Sequence, residues 1–360
     1  MMSIDKGLLG QEQLGDVIER HKKYGEFCDC LDIVVLSPRG FEEYEISEKV
    51  RAYPTNSCCK LKYCCDAFHV GKKLFKNNGY DLIVTQTPFL DGLAGWCLKK
   101  RFGAKLLVHF HGDFWKNRNW LKESRINYVM LLLSKIVVRG ADAIRVMSNG
   151  QKDKLGRYKN KARIISTPVD LEKYQKCQQY NIETKNILHI GRDDEVKDYN
   201  TLVKVFKIIK EKIGDAKFVQ VGSDIKIKEA IKENDFQDIE TKGRKSADEI
   251  IDIYSDSNIF VLSSTSESFG KVLVEANACG RPVVSTATTG AKEIIKDGEN
   301  GYLVPIGDYQ ALAEKIIYLL EHPDESKAMG ERGRQIVKER FGDNTSKIVK
   351  FWQDIICGNL

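Results

Sequence analysis

Short apolar runs alternate with helical patterns along almost the whole chain, and this alternation limits the possible fold more than any other feature. One series of runs lies at 31–36, 81–84, 105–110, 143–147 and 162–165, and a second at 186–190, 216–221, 259–262 and 282–285. Strands that alternate with helices form parallel sheets covered by helices on both faces. We therefore predict an α/β chain.

The two series of strands predict two domains, as the length of 360 residues also does. The first series ends before Pro168, and the polar stretch 172–185 then separates it from the second. We predict a Rossmann-like domain over 1–171, a linker over 172–185 and a second Rossmann-like domain over 186–342. The tail, 343–357, has the pattern of an amphipathic helix.

The most specific motif is a Glu-x7-Glu block within the second predicted domain. Glu267 follows the run 259–262, and Glu275 stands about two turns into a helix predicted over 271–279 and closed by Gly280. Ligands bind at such carboxyl ends of parallel strands, and the first amides of a helix attract anions. A nucleotide sugar offers phosphates to those amides and hydroxyls to the glutamates. The alternative is an ordinary turn with two solvated glutamates.

The Ser-Phe-Gly turn at 268–270 and the Ala-Cys-Gly-Arg-Pro-Val-Val-Ser sequence at 278–285 make this block resemble a known donor-site signature. It is that of the retaining glycosyltransferases of family 4, which have the GT-B fold, two Rossmann-like domains with parallel sheets facing each other across a deep cleft. The resemblance implies that Glu275 holds the ribose hydroxyls and that Glu267 contacts the transferred sugar. It also implies that the helix 343–357 packs back on the N-terminal acceptor domain. Further implied donor-binding residues are Ser268, Phe269, Gly270, Lys271, Val272 and Leu273.

The segment 191–197, Gly-Arg-Asp-Asp-Glu-Val-Lys, resembles the family's Gly-Arg-x4-Lys element. By this resemblance Gly191 lies at the donor, and Arg192 and Lys197 neutralise its diphosphate. Leaving-group charge grows as the sugar–phosphate bond breaks, and preorganised cations stabilise it. The acidic neighbours also fit a solvated helix start. Asp198 stands where the family usually has glycine, so we expect an altered loop geometry.

Three further positions are assigned through the resemblance. His111 follows the run 105–110 and corresponds to a family histidine close to the transferred sugar. A lone histidine is also compatible with a hydrogen-bonded core residue, and His109, two positions earlier, should lie buried beneath it. Gly222 and Arg244 should lie near the nucleotide base.

The chain starts with a short predicted strand before Gly7 and Gly10. In the family, the loop after this strand reaches the donor phosphates and the acceptor, although a plain surface turn is the alternative. Glycine permits close backbone approach there. We expect Gly10→Val to reduce transfer with little change in melting temperature. We expect added apolar residues before Met1 to raise thermal stability.

The resemblance implies transfer of a hexosyl unit from a UDP- or GDP-sugar to a hydroxyl acceptor in polysaccharide, glycolipid or glycan biosynthesis. It implies no cofactor and no metal, and the sequence has no Asp-x-Asp motif. Two alternatives stay open: a sugar-nucleotide 2-epimerase, which needs an acid/base pair, and a non-catalytic subunit that binds nucleotide or lipid. A nicotinamide-dependent dehydrogenase is disfavoured because no Gly-x-Gly-x-x-Gly follows an early strand.

Charge and hydropathy limit the partners and the compartment. The net charge of +6 fits an anionic substrate or an anionic membrane surface and does not indicate nucleic acid binding. The sequence contains neither a membrane-spanning apolar run nor a secretory signal pattern, so we expect a cytoplasmic protein, soluble or peripheral at the inner face of the membrane. The ten cysteines lack zinc-finger spacing, so we expect reduced thiols, including the cluster Cys58, Cys59, Cys64 and Cys65, for which a zinc or iron–sulfur site is the alternative.

One further segment, 118–139, has a helical pattern in which Arg118, Lys122 and Arg125 share a face. Its apolar residues are Trp120, Leu121, Val129 and Leu131 to Leu133. This pattern fits an interfacial helix on anionic lipid, near a lipid-linked acceptor. An ordinary amphipathic helix packed on the first domain fits it equally well.

Overall fold

The computed structural model describes residues 1–10, 16–177, 180–342 and 344–359, apart from the side chain of Ala247. The chain forms two compact units. Unit 1 comprises Met1–Ser166 and Asp343–Leu360, and unit 2 comprises Thr167–Gly342. The predicted start of the first helix, near Gln13, lies outside the described residues.

The strands are β1 Met2–Ser3, β2 Leu31–Val35, β3 Tyr44–Ser47, β4 Val50–Pro54, β5 Leu82–Thr85, β6 Lys105–Phe110, β7 Ala143–Val146, β8 Ala162–Ile164, β9 Asn186–Ile190, β10 Lys217–Val221, β11 Glu240–Thr241, β12 Ile259–Leu262, β13 Val283–Thr286 and β14 Gly301–Val304. The helices are α1 Val17–Gly25, α2 Tyr63–Asn78, α3 Leu90–Phe102, α4 Arg118–Glu123, α5 Ile126–Gly140, α6 Asn149–Lys154, α7 Leu171–Tyr174, α8 Tyr199–Lys212, α9 Lys226–Asn234, α10 Ala247–Ser255, α11 Lys271–Ala278, α12 Ala291–Ile294, α13 Tyr309–Glu321, α14 Pro323–Phe341 and α15 Asn344–Cys357.

Unit 1 contains a sheet with the strand order β3-β4-β2-β1-β5-β6-β7-β8. Its neighbouring strands are parallel, as predicted, except that the edge strand β3 runs antiparallel to β4. The sequence pattern did not predict this hairpin. Its connection is two residues long, which is enough for antiparallel strands and far too short for a parallel crossover.

The helix α15 packs on unit 1. Its buried side chains Ile348, Phe351, Trp352 and Ile355 share a core with the strands β2 and β4 and with Tyr24 of α1. The Arg163 Nη1 atom lies 2.5 Å from Asp354 Oδ2, and its guanidinium lies 5.0 Å from the centre of the Phe351 ring. The opposite face of the sheet packs against α2, α3 and α5.

Gly10 ends a short 3-10 helix, Lys6–Leu9, with φ of 75° and ψ of 0°. This left-handed conformation strains other residues, above all β-branched ones. A Cβ atom placed on Gly10 would lie 2.6 Å from Cε2 of Tyr44. The structure therefore contradicts the expectation that Gly10→Val has little effect on melting temperature, because both backbone strain and a ring clash oppose valine.

We instead expect Gly10→Val to lower the free energy of unfolding by about 2–4 kcal/mol, combining backbone strain with overpacking. Gly40→Val is the matched control, because Gly40 also has a positive φ of 98° but has no atom within 4 Å of the position that a Cβ atom would occupy. Urea unfolding of both variants measures the two losses. A loss at Gly10 no larger than that at Gly40 would contradict the proposed clash.

Unit 2 contains a parallel sheet with the strand order β11-β10-β9-β12-β13-β14. This is the order of a doubly wound nucleotide-binding sheet, in which the chain moves outward in opposite directions from two adjacent strands. Here those strands are β9 and β12. In sheets of this order, the loops after the two strands diverge at the carboxyl edge, and ligands bind between them.

The stretch 172–185, predicted as a linker, belongs to unit 2 in its described part. The hydroxyl groups of Tyr180 and Ser326 lie 2.8 Å apart, and both residues are buried. Cys177 forms a disulfide with Cys279, 102 residues later, with their Cα atoms 5.3 Å apart. The expectation that all cysteines are reduced thiols is therefore wrong for this pair, because folding brings two distant buried residues into contact.

The segment 118–139 is not one helix. The helix α4 begins at the Asn117 cap, whose side chain accepts hydrogen bonds from the Asn119 and Trp120 amides, and it ends where Ser124 is extended. The helix α5 then starts at Ile126. The prediction that all three cations share one helix face is therefore wrong, because Arg125 lies beyond the break at Ser124, whereas Arg118 and Lys122 stay four residues apart on α4. Within the described residues, none of the helices is both long enough and apolar enough to span a bilayer.

Candidate active site

The loops after β9 and β12 bring Lys197 and Glu267 together. Lys197 Nζ lies 2.5 Å from Glu267 Oε1, and Ser264 Oγ donates to the same oxygen at 2.9 Å. Both charged side chains are largely shielded, being 13% and 15% exposed. An ammonium and a carboxylate thus meet between the two diverging loops of the sheet, where ligands of doubly wound sheets bind.

Asp198 keeps the loop geometry that glycine would allow. Its φ of 46° and ψ of 64° are left-handed, and its side chain accepts a hydrogen bond from the Thr201 amide at the start of α8. Ser263 Oγ donates to the carbonyl oxygens of Lys197 and Asp198 at 2.8 Å and 3.1 Å. Aspartate is among the residues that tolerate this conformation. The expected alteration of the loop relative to the family stays a prediction.

Asp193 ties the loop after β9 to the start of α9. Its carboxylate accepts hydrogen bonds from the Ser223 hydroxyl and from the amides of Asp224, Ile225 and Lys226. Partial burial raises the pKa of Asp193, but these hydrogen bonds outweigh it and lower the pKa to about 2. Asp193 is therefore a structural anchor of the loop that carries exposed Arg192, and its charge is not simply solvated.

Gly191 and Gly222 allow the loops after β9 and β10 to touch. A Cβ atom on Gly222, whose φ is 95°, would lie 2.8 Å from the Gly191 carbonyl oxygen. The Gly222 amide also donates to the Gly243 carbonyl at 2.7 Å, which places exposed Arg244 on the next loop of the same edge. The structure thus places three of the predicted residues in adjoining loops.

The turn 267–270 is held by contacts on two sides. The Gly290 amide donates to the Glu267 carbonyl at 2.8 Å, and a Cβ atom on Gly290 would lie 2.6 Å from the Phe269 backbone. The buried Phe269 ring packs on Phe341, with ring centres 5.5 Å apart. Gly270 has a φ of 86° and precedes α11.

The predicted donor-binding residues of this turn differ in what their side chains contact. The side chains of Phe269 and Leu273 are buried in the core of unit 2, so only their backbone groups could reach a ligand. Ser268, Lys271 and Val272 are partly exposed. The turn leads directly into the start of α11 at Lys271, and the N-terminus of a helix attracts anions.

Glu275 lies in the second turn of α11 and is 7% exposed. The Tyr254 hydroxyl donates to Glu275 Oε2 at 3.2 Å and lies equally close to the Val272 carbonyl. Lys271 Nζ lies 3.5 Å from Glu275 Oε1. Burial, followed by the charge of Glu275, raises the pKa of Tyr254 well above its ordinary value, so the hydroxyl stays protonated and can donate. Tyr254 was not predicted from the sequence, because no motif links it to Glu275.

His111 lies at the carboxyl end of β6 in unit 1. The His109 ring is buried and meets the His111 ring edge-on, with centres 5.4 Å apart, as predicted. Burial, followed by the charge of Arg145, lowers the pKa of His111 well below its ordinary value. Its imidazole is therefore neutral at neutral pH. The buried Arg145 donates to the carbonyls of Ile165 and Ser166, which is a structural role.

Comparison with known proteins agrees with this geometry. A family model of glycosyl transferases group 1 matches residues 172–336, and one of Glycosyltransferase Family 4 matches residues 31–173. An uncharacterized glycosyltransferase of Methanocaldococcus jannaschii is 30% identical over 284 residues, which cover 78% of this chain and 76% of that protein. The chain belongs to the family 4 glycosyltransferases.

One further sequence relative and one similar crystal structure support the family and the fold. The capsular polysaccharide biosynthesis glycosyltransferase CapM of Staphylococcus aureus is 29% identical over 248 residues, or 63% of this chain and 64% of that protein. The crystal structure of Anabaena HepE in complex with UDP and glucose matches with a TM-score of 0.76 at 17% identity and covers 98% of both chains. The glycosyltransferase therefore has the GT-B fold, with two α/β domains.

In this glycosyltransferase, we expect Tyr254→Phe to weaken nucleoside diphosphate binding about three- to tenfold, because a hydrogen bond to a charged group is lost from Glu275. Ring packing is kept, so the fold should survive with a loss of about 1 kcal/mol. Calorimetric titration with nucleotide measures the first effect, and urea unfolding measures the second. Tyr302→Phe, on the partly exposed strand β14, is the control. Unchanged nucleotide affinity in Tyr254→Phe would show that Tyr254 does not orient Glu275.

Proposed function

We propose that this glycosyltransferase moves a hexosyl unit from a nucleotide-diphosphate sugar to a hydroxyl acceptor, with retention of the anomeric configuration. The observation that carries the proposal is the pairing of Lys197 with Glu267 between the loops after β9 and β12. Glu275 lies on the helix that follows the second loop. A cation for phosphate and carboxylates for hydroxyls are the groups that such a donor requires.

Each proposed role follows from the chemistry of the donor. Arg192 and Lys197 bind the diphosphate, Glu267 binds hydroxyls of the hexose, and Glu275 binds the ribose hydroxyls. In the structure, the Lys197 ammonium is paired with Glu267. A bound diphosphate competes for that ammonium and frees the Glu267 carboxylate for the sugar. His111 and Gly10 stay predicted contacts of the sugar and of the phosphates.

The proposed reaction needs no dedicated carboxylate base. The bond between the anomeric carbon and the diphosphate oxygen breaks, and the acceptor oxygen attacks that carbon from the same face. The acceptor proton passes to the departing phosphate oxygen. Lys197 and Arg192 stabilise the charge that accumulates on the diphosphate, so the proposed mechanism uses side-chain cations where other transferases use a metal.

The choice of substrates is also part of the proposal. We propose a UDP- or GDP-sugar, and the UDP and glucose present in the HepE complex favour the first. The role of CapM in capsular polysaccharide biosynthesis favours a process of polysaccharide or glycan assembly. A soluble acceptor and a lipid-borne acceptor at the cytoplasmic face of a membrane both fit the proposed reaction.

A panel of nucleotide sugars tests this function. We expect one base and one hexose to raise the melting temperature more than the others, and hydrolysis or transfer to leave nucleoside diphosphate. Chelators should change neither result. Stabilisation by no nucleotide would support a role without donor binding, and release of an epimerised sugar would support an epimerase. Loss of activity with chelator, restored by magnesium, would contradict the metal-free mechanism.

A further inference from the structure

The helix α5 carries a ridge of exposed apolar side chains. Tyr128, Val129, Leu132 and Ile136 are each between 51% and 63% exposed. Spacings of three and four residues place Val129, Leu132 and Ile136 in one line along the helix. Exposed apolar side chains scattered singly are ordinary, but a continuous line of them marks a contact surface. We call these four residues the α5 ridge.

The opposite face of α5 is anchored to the core of unit 1. Ser134, Val137 and Val138 are buried there, and Trp115 Nε1 donates to Ser134 Oγ at 2.8 Å. The orientation of the helix is therefore set by its own packing. The α5 ridge points away from that core as a consequence of this packing.

Positive charge is concentrated around the α5 ridge. Residues 116–140 contain six Lys or Arg and one Glu, a net charge of +5 out of +6 for the whole chain. Arg125, the N-cap of α5, and Lys135 and Arg139 within α5 are exposed on the same side as the ridge. A partner for this surface must accept apolar side chains and supply negative charge. We propose that the α4–α5 surface docks on an anionic lipid bilayer, with the α5 ridge in the interfacial layer.

A second copy of this chain fits the surface less well. A two-fold dimer would place the same patch on both subunits and so bring the two clusters of positive charge together. The apolar ridge and the positive charge both favour binding to an anionic bilayer, because apolar side chains enter the headgroup boundary and each nearby cation is attracted to the anionic lipid. Tyr128, at the start of the ridge, belongs to the residue types that favour the membrane–water interface.

The direction of α5 determines which edge of the unit 1 sheet the proposed docking would bring close to the membrane. The helix follows β6 and leads to the parallel strand β7, so its first turn and α4 lie at the carboxyl edge of the sheet, where His111 also lies. Partly exposed aromatic rings occupy this edge. The rings of Phe89 and Trp120 stack with centres 5.7 Å apart, and Phe114 contacts both. A docked α4–α5 surface would place this edge next to an acceptor carried by a lipid.

Vesicle sedimentation tests the docking, and it needs no donor or acceptor, so its outcome is independent of sugar transfer. The full chain is mixed with phosphatidylcholine vesicles with or without phosphatidylglycerol, at low and at physiological salt. We expect binding to the anionic vesicles alone, weakened by salt because the cations are exposed.

Two double variants separate the two contributions. Lys135→Glu with Arg139→Glu should weaken partitioning at least about tenfold through lost attraction. Leu132→Ser with Ile136→Ser should weaken it by about tenfold or more through lost apolar insertion. All four side chains are exposed, so the fold should be retained.

Matched controls change exposed residues of unit 2. Lys207→Glu with Lys228→Glu is the charge control, and Ile182→Ser with Ile306→Ser is the apolar control. Both should bind like the parent protein. No binding at low salt, equal loss in the control variants, or a dimer in sedimentation analysis that the ridge variants dissociate would overturn the proposal.

Discussion

Lys197→Ala is expected to lower kcat about 10²–10³-fold while changing donor affinity far less. The ammonium lies between the loops after β9 and β12, 2.5 Å from Glu267, in a shielded position. Charge on the diphosphate grows toward the transition state, so a fixed cation stabilises that state more than the bound donor. Steady-state kinetics together with calorimetric titration of the donor measure the two effects separately.

Lys226→Ala is the control for this variant. Lys226, the first residue of α9, is also a cation of unit 2, but it pairs with Glu195 at 2.6 Å on the surface. Its removal should leave kcat nearly unchanged. Arg192→Ala should resemble Lys197→Ala, with a smaller loss because Arg192 is exposed to water. A fall in donor affinity as large as the fall in kcat would contradict the proposed stabilisation of the leaving group.

Glu275→Ala is expected to weaken binding of free nucleoside diphosphate by on the order of 1.5–3 kcal/mol, or about 10- to 150-fold. The reason is that the buried carboxylate of Glu275, held by Tyr254 and Lys271, is assigned to the ribose hydroxyls. Glu267→Ala should leave this affinity nearly intact and impair sugar transfer. Calorimetric titration with nucleotide alone compares the two variants.

One conservative variant separates the charge of Glu275 from its shape. Glu275→Gln keeps an acceptor for the Tyr254 hydroxyl and removes the charge, so it should lose less affinity than Glu275→Ala. Equal losses in Glu267→Ala and Glu275→Ala would remove the division of roles between the two glutamates. That result would leave the fold and the family unaffected, since both rest on other observations.

Much of the donor loop could be predicted because its signals are local. The helix predicted over 271–279 is observed as Lys271–Ala278, and the strand β12 lies where the apolar run predicted it. Gly280 closes the helix with a φ of 70°. Apolar periodicity and a left-handed glycine each depend on a few consecutive residues. Their consequences are therefore readable without knowledge of the fold.

Other features depend on contacts between distant residues. Of the predicted apolar set, Val129 and Leu132 are exposed, whereas Trp120, Leu121, Leu131 and Leu133 are partly buried; Tyr128 and Ile136, which were not predicted, complete the exposed ridge. The clash at Gly10 comes from Tyr44, which stands on an edge strand that the sequence pattern did not predict. In both cases the local sequence pattern was compatible with more than one arrangement of the chain, and the packing of distant residues decided which arrangement forms.

The sequence by itself determined the alternation of strands and helices, the Glu-x7-Glu block and the basic element at 191–197, because each depends only on residues close together in the chain. Only the tertiary structure decided which of these groups meet. Lys197 pairs with Glu267 across 70 residues because the parallel pairing of β9 with β12 places their following loops side by side. The same packing placed Tyr254 against Glu275 and Cys177 against Cys279. The order of the strands and the burial of helix faces determine which distant residues meet. Neither can be predicted from a short segment of the sequence.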